Sequence, residues 1–221
     1  MEMEQPPSAP VCQAGCLLEG IMLQKPPPCF VYQRGEQIVP RERVFLICHG
    51  PVGYLWGSGP EHSCLEILGP GDICDSQGCP AGEYRTWALG EVGGHWIKRS
   101  QWLELLRDPV VEERFVSYMH KRQQRQHEWQ LVLTRGSVRA RVAWQLLDLA
   151  QRFGERNEQT QEIFVPIVLT QQQQAALCGT VRSQVWGTLR EFEGKRWLVC
   201  GSQGFWVRDE GALRRQSHEG L

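Results

Sequence analysis

Two hydrophobic periods divide the chain. Between Cys29 and Ile97 the apolar residues come in short runs or alternate with polar ones, at Cys29–Gln33, Arg43–Cys48, Val52–Trp56, Ser63–Leu68, Tyr84–Leu89 and His95–Ile97. Glycines such as Gly35, Gly50, Gly69, Gly71 and Gly90 sit between or beside these runs. Short strands at this spacing, punctuated by glycine, predict an all-β sandwich or barrel. Ahead of it, residues 1–28 are proline-rich at both ends and read as an arm, with one short helical turn around Cys16–Met22.

After Ile97 the period lengthens. Ser100–Arg107 reads as a short helix ended by Asp108-Pro109. A long helix follows, in which Val111, Phe115, Tyr118, Met119, Arg122, Gln126, Trp129, Val132 and Leu133 recur at spacings near three and four. Its apolar members form one narrow stripe, and Lys121, Arg122 and Arg125 charge the middle. About 24 such residues would span ~36 Å. A helix that long with one stripe calls for a partner helix, so the expectation is a coiled-coil homodimer, with packing on its own domain as the alternative. Arg135-Gly136-Ser137 breaks the helix, and Ser137 caps the next, Val138–Phe153, which Gly154 stops. Polar residues 155–162 form a linker or hairpin, and Ile163–Leu169 is a strand-like run around Pro166.

Composition narrows the class. The 221 residues carry 24 Lys+Arg against 25 Asp+Glu and are 41% hydrophobic, as in ordinary globular chains. Residues 1–97 hold 5 basic and 11 acidic side chains, and residues 98–221 hold 19 and 14, so the second half is basic. That asymmetry points mildly to nucleic acid. No apolar run is long enough to span a membrane, and MEMEQPPSAP lacks the pattern of a secretory signal, so a cytoplasmic location is expected. Nine cysteines are then many for a reducing compartment, and they stand as buried thiols, a metal or cluster site, or redox groups. Cys48, Cys64 and Cys178 read as packing thiols. No P-loop, dinucleotide fingerprint or nucleophile–base arrangement is present, so catalysis is not expected.

The most specific segment is LTQQQQAALCGTVRSQVWGTLREFEGKRWL, Leu169–Leu198. Thr170 caps a short helix over Gln171–Cys178 with Ala175, Ala176 and Leu177 inward. Gly179 permits a left-handed turn that Val181 plugs. Arg182–Glu193 forms a second helix with Val185, Leu189 and Phe192 inward. This is helix-turn-helix spacing. The second helix would turn Arg182, Ser183, Gln184, Trp186 and Gly187 outward, where arginine can read guanine and glutamine adenine. Arg190, Lys195 and Arg196 can neutralise phosphates, and Thr170, Gln171 and Thr180 complete the candidate contact set. Trp197–Cys200 and Phe205–Arg208 make a hairpin that reads as a wing.

In order, the β-rich half, the long helix, a helix ending LLDLAQRFG and this segment resemble the CRP/FNR family of bacterial transcription regulators over residues ~29–208. YQRGEQI (Tyr32–Ile38) and ILGPGD (Ile67–Asp72) are similar to the family's β-roll turns. The resemblance implies an α+β chain: an arm (1–28), a cyclic-nucleotide-binding-like β-roll or jelly roll as sensor (29–108), a dimerisation helix (109–135) and a winged helix-turn-helix domain (136–221). It implies a homodimer on palindromic promoter DNA, and contact with RNA polymerase if the protein activates. Arg182 matches the family's recognition helix, but Ser183 replaces the usual Glu and Gly187 the usual Arg, so the operator should differ.

The resemblance also frames the signal. Arg85-Thr86 matches the family's phosphate-binding pair and makes these two residues the candidate effector site. Cys74-Asp75-Ser76 stands where the ribose-binding Gly-Glu should be, which removes a charge-assisted acceptor unless Asp75 substitutes for it. Cysteine chemistry is the stronger expectation: Cys12 and Cys16 in the arm, with Cys74 and Cys79 in the cassette loop, could join as four thiolates, suited to an iron–sulfur cluster or tetrahedral zinc, if the arm folds over the roll. CDSQGC keeps the cysteines and glycine of the haem-binding loop of the family's CO sensors, but Ser76 replaces its histidine. The order of expectation is an iron–sulfur cluster, then haem, then cAMP. A small anionic effector at Arg85 is the alternative to a redox, cluster or gas signal.

Overall fold

Five consecutive residues of one strand, Val44–Cys48, are buried, because both faces of that strand are covered. The computed structural model describes residues 17–18, 29–40, 42–56, 63–75 and 84–219. The strands of the first half are β1 (Cys29–Tyr32), β2 (Gln37–Ile38), β3 (Arg43–His49), β4 (Val52–Trp56), β5 (Ser63–Leu68), β6 (Ile73–Cys74), β7 (Tyr84–Ala88) and β8 (Val92–Lys98). They form two four-stranded sheets, in the orders β1-β8-β3-β6 and β2-β7-β4-β5. Side chains alternate across a strand, so Phe45 and Ile47 of β3 point one way and Val44, Leu46 and Cys48 the other. The first set meets Ile38, Val52, Leu68, Cys74, Ala88 and Val92 between the sheets. The second meets Ile97, Trp102 and two arm residues, Leu17 and Leu18, with Ile73, Phe115 and Tyr118 at its edge. The β-rich expectation therefore holds as a two-sheet roll.

Helix α1 (Arg99–Leu105) buries Trp102. Asp108 then accepts from the backbone N–H of Val110 at 2.9 Å, and Pro109 opens α2 (Pro109–Arg135) at the position where proline is best tolerated. The chain divides into two compact units, one of Met1–Tyr54 with Ile67–His120 and one of Leu55–Glu66 with Lys121–Leu221.

The stripe expected to face a second copy is largely used within the chain. Val111 and Val132 are buried, and Phe115, Tyr118, Arg122, Arg125 and Trp129 are half-buried, at alternating spacings of four and three. Phe115 packs edge-on against Trp102 at 5.6 Å, and Trp129 stacks on Trp144 at 5.0 Å. The two arginines in mid-stripe are also partnered. Arg122 binds Glu66 at 2.7 Å, and Arg125 lies 3.7 Å from Glu66 and 3.6 Å from Asp148. Periodicity identifies the face a helix covers but not what covers it, and here much of the cover is the chain itself. A second strip at heptad spacing stays exposed: Val116, Met119, Gln123, Gln126, Gln130 and Leu133.

The second unit continues with α3 (Val138–Phe153), capped by Ser137 Oγ, which accepts from Ala140 N–H. Then follow β9 (Glu155–Arg156), β10 (Ile163–Val165), α4 (Gln171–Leu177), α5 (Arg182–Gly194), β11 (Leu198–Gly201), β12 (Gly204–Val207) and α6 (Glu210–Ser217). Strand order β11-β12-β10-β9 makes the wing part of a four-stranded sheet. Residues 155–162 form the hairpin leading into β10. Helix α6 lies beyond the elements read from sequence; Asp209 caps it, and Ala212 and Leu213 are its buried face.

Candidate nucleic-acid interface

Helix α4 begins with a reciprocal capping box. Thr170 Oγ1 accepts from Gln173 N–H at 3.1 Å, and Gln173 Oε1 accepts from Thr170 N–H at 2.9 Å. The helix ends at Leu177 with Cys178 as its C-cap, and Gly179 follows with a φ of +57°, the left-handed conformation expected for the turn. A Cβ on Gly179 would stand 2.8 Å from Leu133 Cδ1, so space as well as backbone demands glycine. Arg141 of α3, which the sequence reading did not single out, fixes the turn from below: its Nη1 donates to the carbonyls of Cys178 at 3.1 Å and Gly179 at 2.8 Å. A basic residue satisfying the last carbonyls of a helix is a common C-terminal device, but here it comes from another helix, which local sequence does not reveal.

Val181 does not plug the turn. It is the extended N-cap of α5 and is 59% exposed. The buried apolar residues just before the turn are Leu177 and Cys178. From there α5 behaves as its pattern predicts. Val185, Thr188, Leu189 and Phe192 are buried, while Arg182, Ser183, Gln184, Trp186, Gly187 and Arg190 are exposed.

The candidate contact residues fall into distinct electrostatic states. Arg182 Nε donates to Gln171 Oε1 at 2.8 Å, which ties the two helices across the turn and leaves the guanidinium with no carboxylate partner among the described residues. Thr180 Oγ1 donates to Gln184 Oε1. Arg190 lies over the Trp186 ring at 5.6 Å and 3.5 Å from Glu193. Arg196 is exposed, has φ +61° and has no ion pair among the described residues. Lys195 differs: it binds Glu191 at 2.7 Å and lies over Trp197 at 4.5 Å. Glu191 also accepts from Arg139 of α3 at 2.6 Å, and these two cations hold its carboxyl below the usual carboxylate range.

Two thiols of this unit are chemically quiet. Burial pushes Cys178 up to about 12 against the opposing charge of Arg141. Partial burial, then the carboxylate of Glu193, pushes Cys200 up to about 11. Both are protonated at neutral pH, and the thiol is a poor nucleophile and ligand.

The sensor candidates are more scattered. Arg85 is exposed on β7, without an ion pair among the described residues. Thr86 is buried and donates its hydroxyl to the Ile38 carbonyl. Asp75 is held by Arg99. Cys74 is 2% exposed, with its thiol in the cluster between the sheets. Cys12, Cys16 and Cys79 lie outside the described residues, among which no group of three or more His, Cys, Asp or Glu is placed to hold a metal. No helix among the described residues is long and apolar enough to cross a membrane.

Comparison with known proteins agrees with this geometry. Residues 140–216 match the family model described as a Crp-like helix-turn-helix domain. The chain is 30% identical over 196 residues to a CRP-like cAMP-activated global transcriptional regulator of Mycobacterium tuberculosis, covering 85% of this chain and 84% of that protein. Among solved structures it resembles a CRP-family transcriptional regulator from Thermus thermophilus, with TM-score 0.67, 20% identity and coverage of 87% and 98%. FixK2 from Bradyrhizobium japonicum is similar with TM-score 0.67, 17% identity and coverage of 89% and 100%. A sensor-type β-roll, a long helix and a helix-turn-helix with an outward arginine-bearing face, in one chain and in this order, make the protein a transcription regulator belonging to the CRP/FNR family.

Proposed function

We propose that the protein regulates transcription as a homodimer that reads a palindromic promoter site, with one α5 in the major groove of each half-site. The observation that carries this reading is the outward face of α5, where Arg182 is exposed and uncompensated by any carboxylate among the described residues. The two copies would pair along the exposed strip of α2, because Val116, Met119, Gln123, Gln126, Gln130 and Leu133 keep heptad spacing and carry no charge. Selecting DNA from a randomised pool with the full chain tests the reading. The expected product is a two-fold symmetric site with half-sites about 10 base pairs apart. Arg182→Ala should weaken its binding by about tenfold or more. Retention of no preferred sequence would overturn the proposal.

For the signal, thiol or cluster chemistry at the arm and cassette loop is the first reading. Its support is the burial of Leu17 and Leu18, the residues after Cys16, in a cluster edged by Ile73, the residue before Cys74. Cys74 turns its own thiol to the opposite face, so a site including it would require β6 to twist. The second reading is a small anionic effector at Arg85, favoured by that exposed guanidinium, unpaired among the described residues, and by the cAMP activation named for the mycobacterial relative. One oxygen-free preparation separates them. Bound iron, acid-labile sulfide or a visible absorbance band that air abolishes together with DNA binding supports the first. A colourless, metal-free protein whose DNA binding responds to cAMP, and loses that response in Arg85→Ala, supports the second.

A further inference from the structure

Helix α5 carries two features that its own folding does not require. Gly187 sits in mid-helix on the exposed face, and a Cβ built there would meet nothing within 4 Å. Its φ lies outside the left-handed region, so the backbone does not call for glycine either. Glycine is the poorest helix former after proline, and an alanine here would stabilise the helix. The residue before it, Trp186, is 50% exposed, its ring lying near the Arg190 guanidinium. A large apolar ring held in water beside an unneeded glycine points to something that approaches from outside.

We infer that Trp186 and Gly187 form a thymine-reading pair in the major groove. Thymine is the base that presents a methyl group there, and apolar side chains recognise it by contact. The indole supplies that contact, and Gly187 lets the helix backbone come closer to the base edges than a side chain would allow. Trp186 lies four residues after Arg182, one turn along the same side of the helix. A turn rises about 5.4 Å, which is between one and two base-pair steps of ~3.4 Å. The thymine therefore lies one or two base pairs from the pair that Arg182 reads. The inference rests on α5 being the groove-reading helix, and it replaces the charged readout lost at Gly187 by a shape and methyl readout.

The test uses the full chain and the site selected from random DNA. Each thymine is replaced in turn by deoxyuridine, which removes the methyl group and nothing else. At one position of each half-site the substitution should weaken wild-type binding by about tenfold, whereas Trp186→Ala should bind the thymine and uracil forms alike. Gly187→Ala should raise the thermal midpoint and yet lower affinity by about tenfold or more, a pair of opposite signs that a merely structural glycine would not produce. Uracil substitutions without effect at every position, or a Gly187→Ala protein that is more stable and binds as wild type, would overturn the inference. If the wild type retains no sequence from the pool, the DNA-reading assignment of α5 falls first and takes this inference with it.

Discussion

Gly179 and the cysteines show what single positions decide. An L-residue at φ +57° costs roughly 1–2 kcal/mol, and a Cβ there would press on Leu133. Gly179→Ala should therefore lower the urea midpoint by at least that equivalent and weaken DNA binding, because the turn sets the angle between α4 and α5. This requirement was readable from sequence, since a glycine between two amphipathic segments has few other purposes. The exposure of Val181 was not readable, because a lone apolar residue in a turn looks the same whether it faces the core or the solvent. At the same scale, Cys178 and Cys200 should resist alkylation of the native protein at neutral pH, since their thiols titrate only near 12 and 11. Mass spectrometry after iodoacetamide treatment checks this. Modification at the rate of a free thiol would contradict the burial of Cys178 and, for Cys200, whose residue is exposed, the upward shift of its thiol beside Glu193.

Among the elements, α2 separates what a pattern reveals from what it conceals. Its length, its start at Pro109 and its end before Gly136 were all legible. The partner of its apolar stripe was not, because Glu66, Asp148 and Trp144 are distant in sequence from the residues they cover. The expected consequence is that Val116→Glu with Met119→Glu, on the exposed strip, yields a monomer by sedimentation and abolishes cooperative binding to two half-sites while the fold persists. Strands β2 and β6 escaped prediction because two residues cannot show alternation, and the start of β8 was masked by Gly93 and Gly94. Helix α5 is tied to α3 by Arg139–Glu191, and α6 to β9 by Arg156–Glu210. Lys195 and Arg139 hold the Glu191 carboxyl, and Arg156 and Arg214 the Glu210 carboxyl, below the ordinary carboxylate range. Their contribution is complete above the unfolded carboxylate value and is lost as pH falls through the depressed folded value. Urea midpoints measured from neutral pH downward should therefore fall less steeply in Glu191→Gln with Glu210→Gln than in the wild type. The effect should be small, since surface pairs contribute little.

For the whole molecule, the order of parts along the chain was legible because each part has its own period: alternation, then long helix, then paired short helices. The sheet order β1-β8-β3-β6 was not, since it joins strands from opposite ends of the roll and nothing local specifies which edges meet. The charge asymmetry adds an expectation at this scale. Binding to the selected DNA should weaken steeply with added salt, as counterions released from phosphates reassociate, and a flat salt dependence would argue against the basic half as the contact surface. The doubly covered strand β3 has a consequence of its own. Lying between β8 and β6 in the sheet, with side chains gripped above and below it, its peptide groups from Val44 to Cys48 should be the last in the roll to trade protium for deuterium. They would then act as a clock for the roll, recording when it comes apart as a whole.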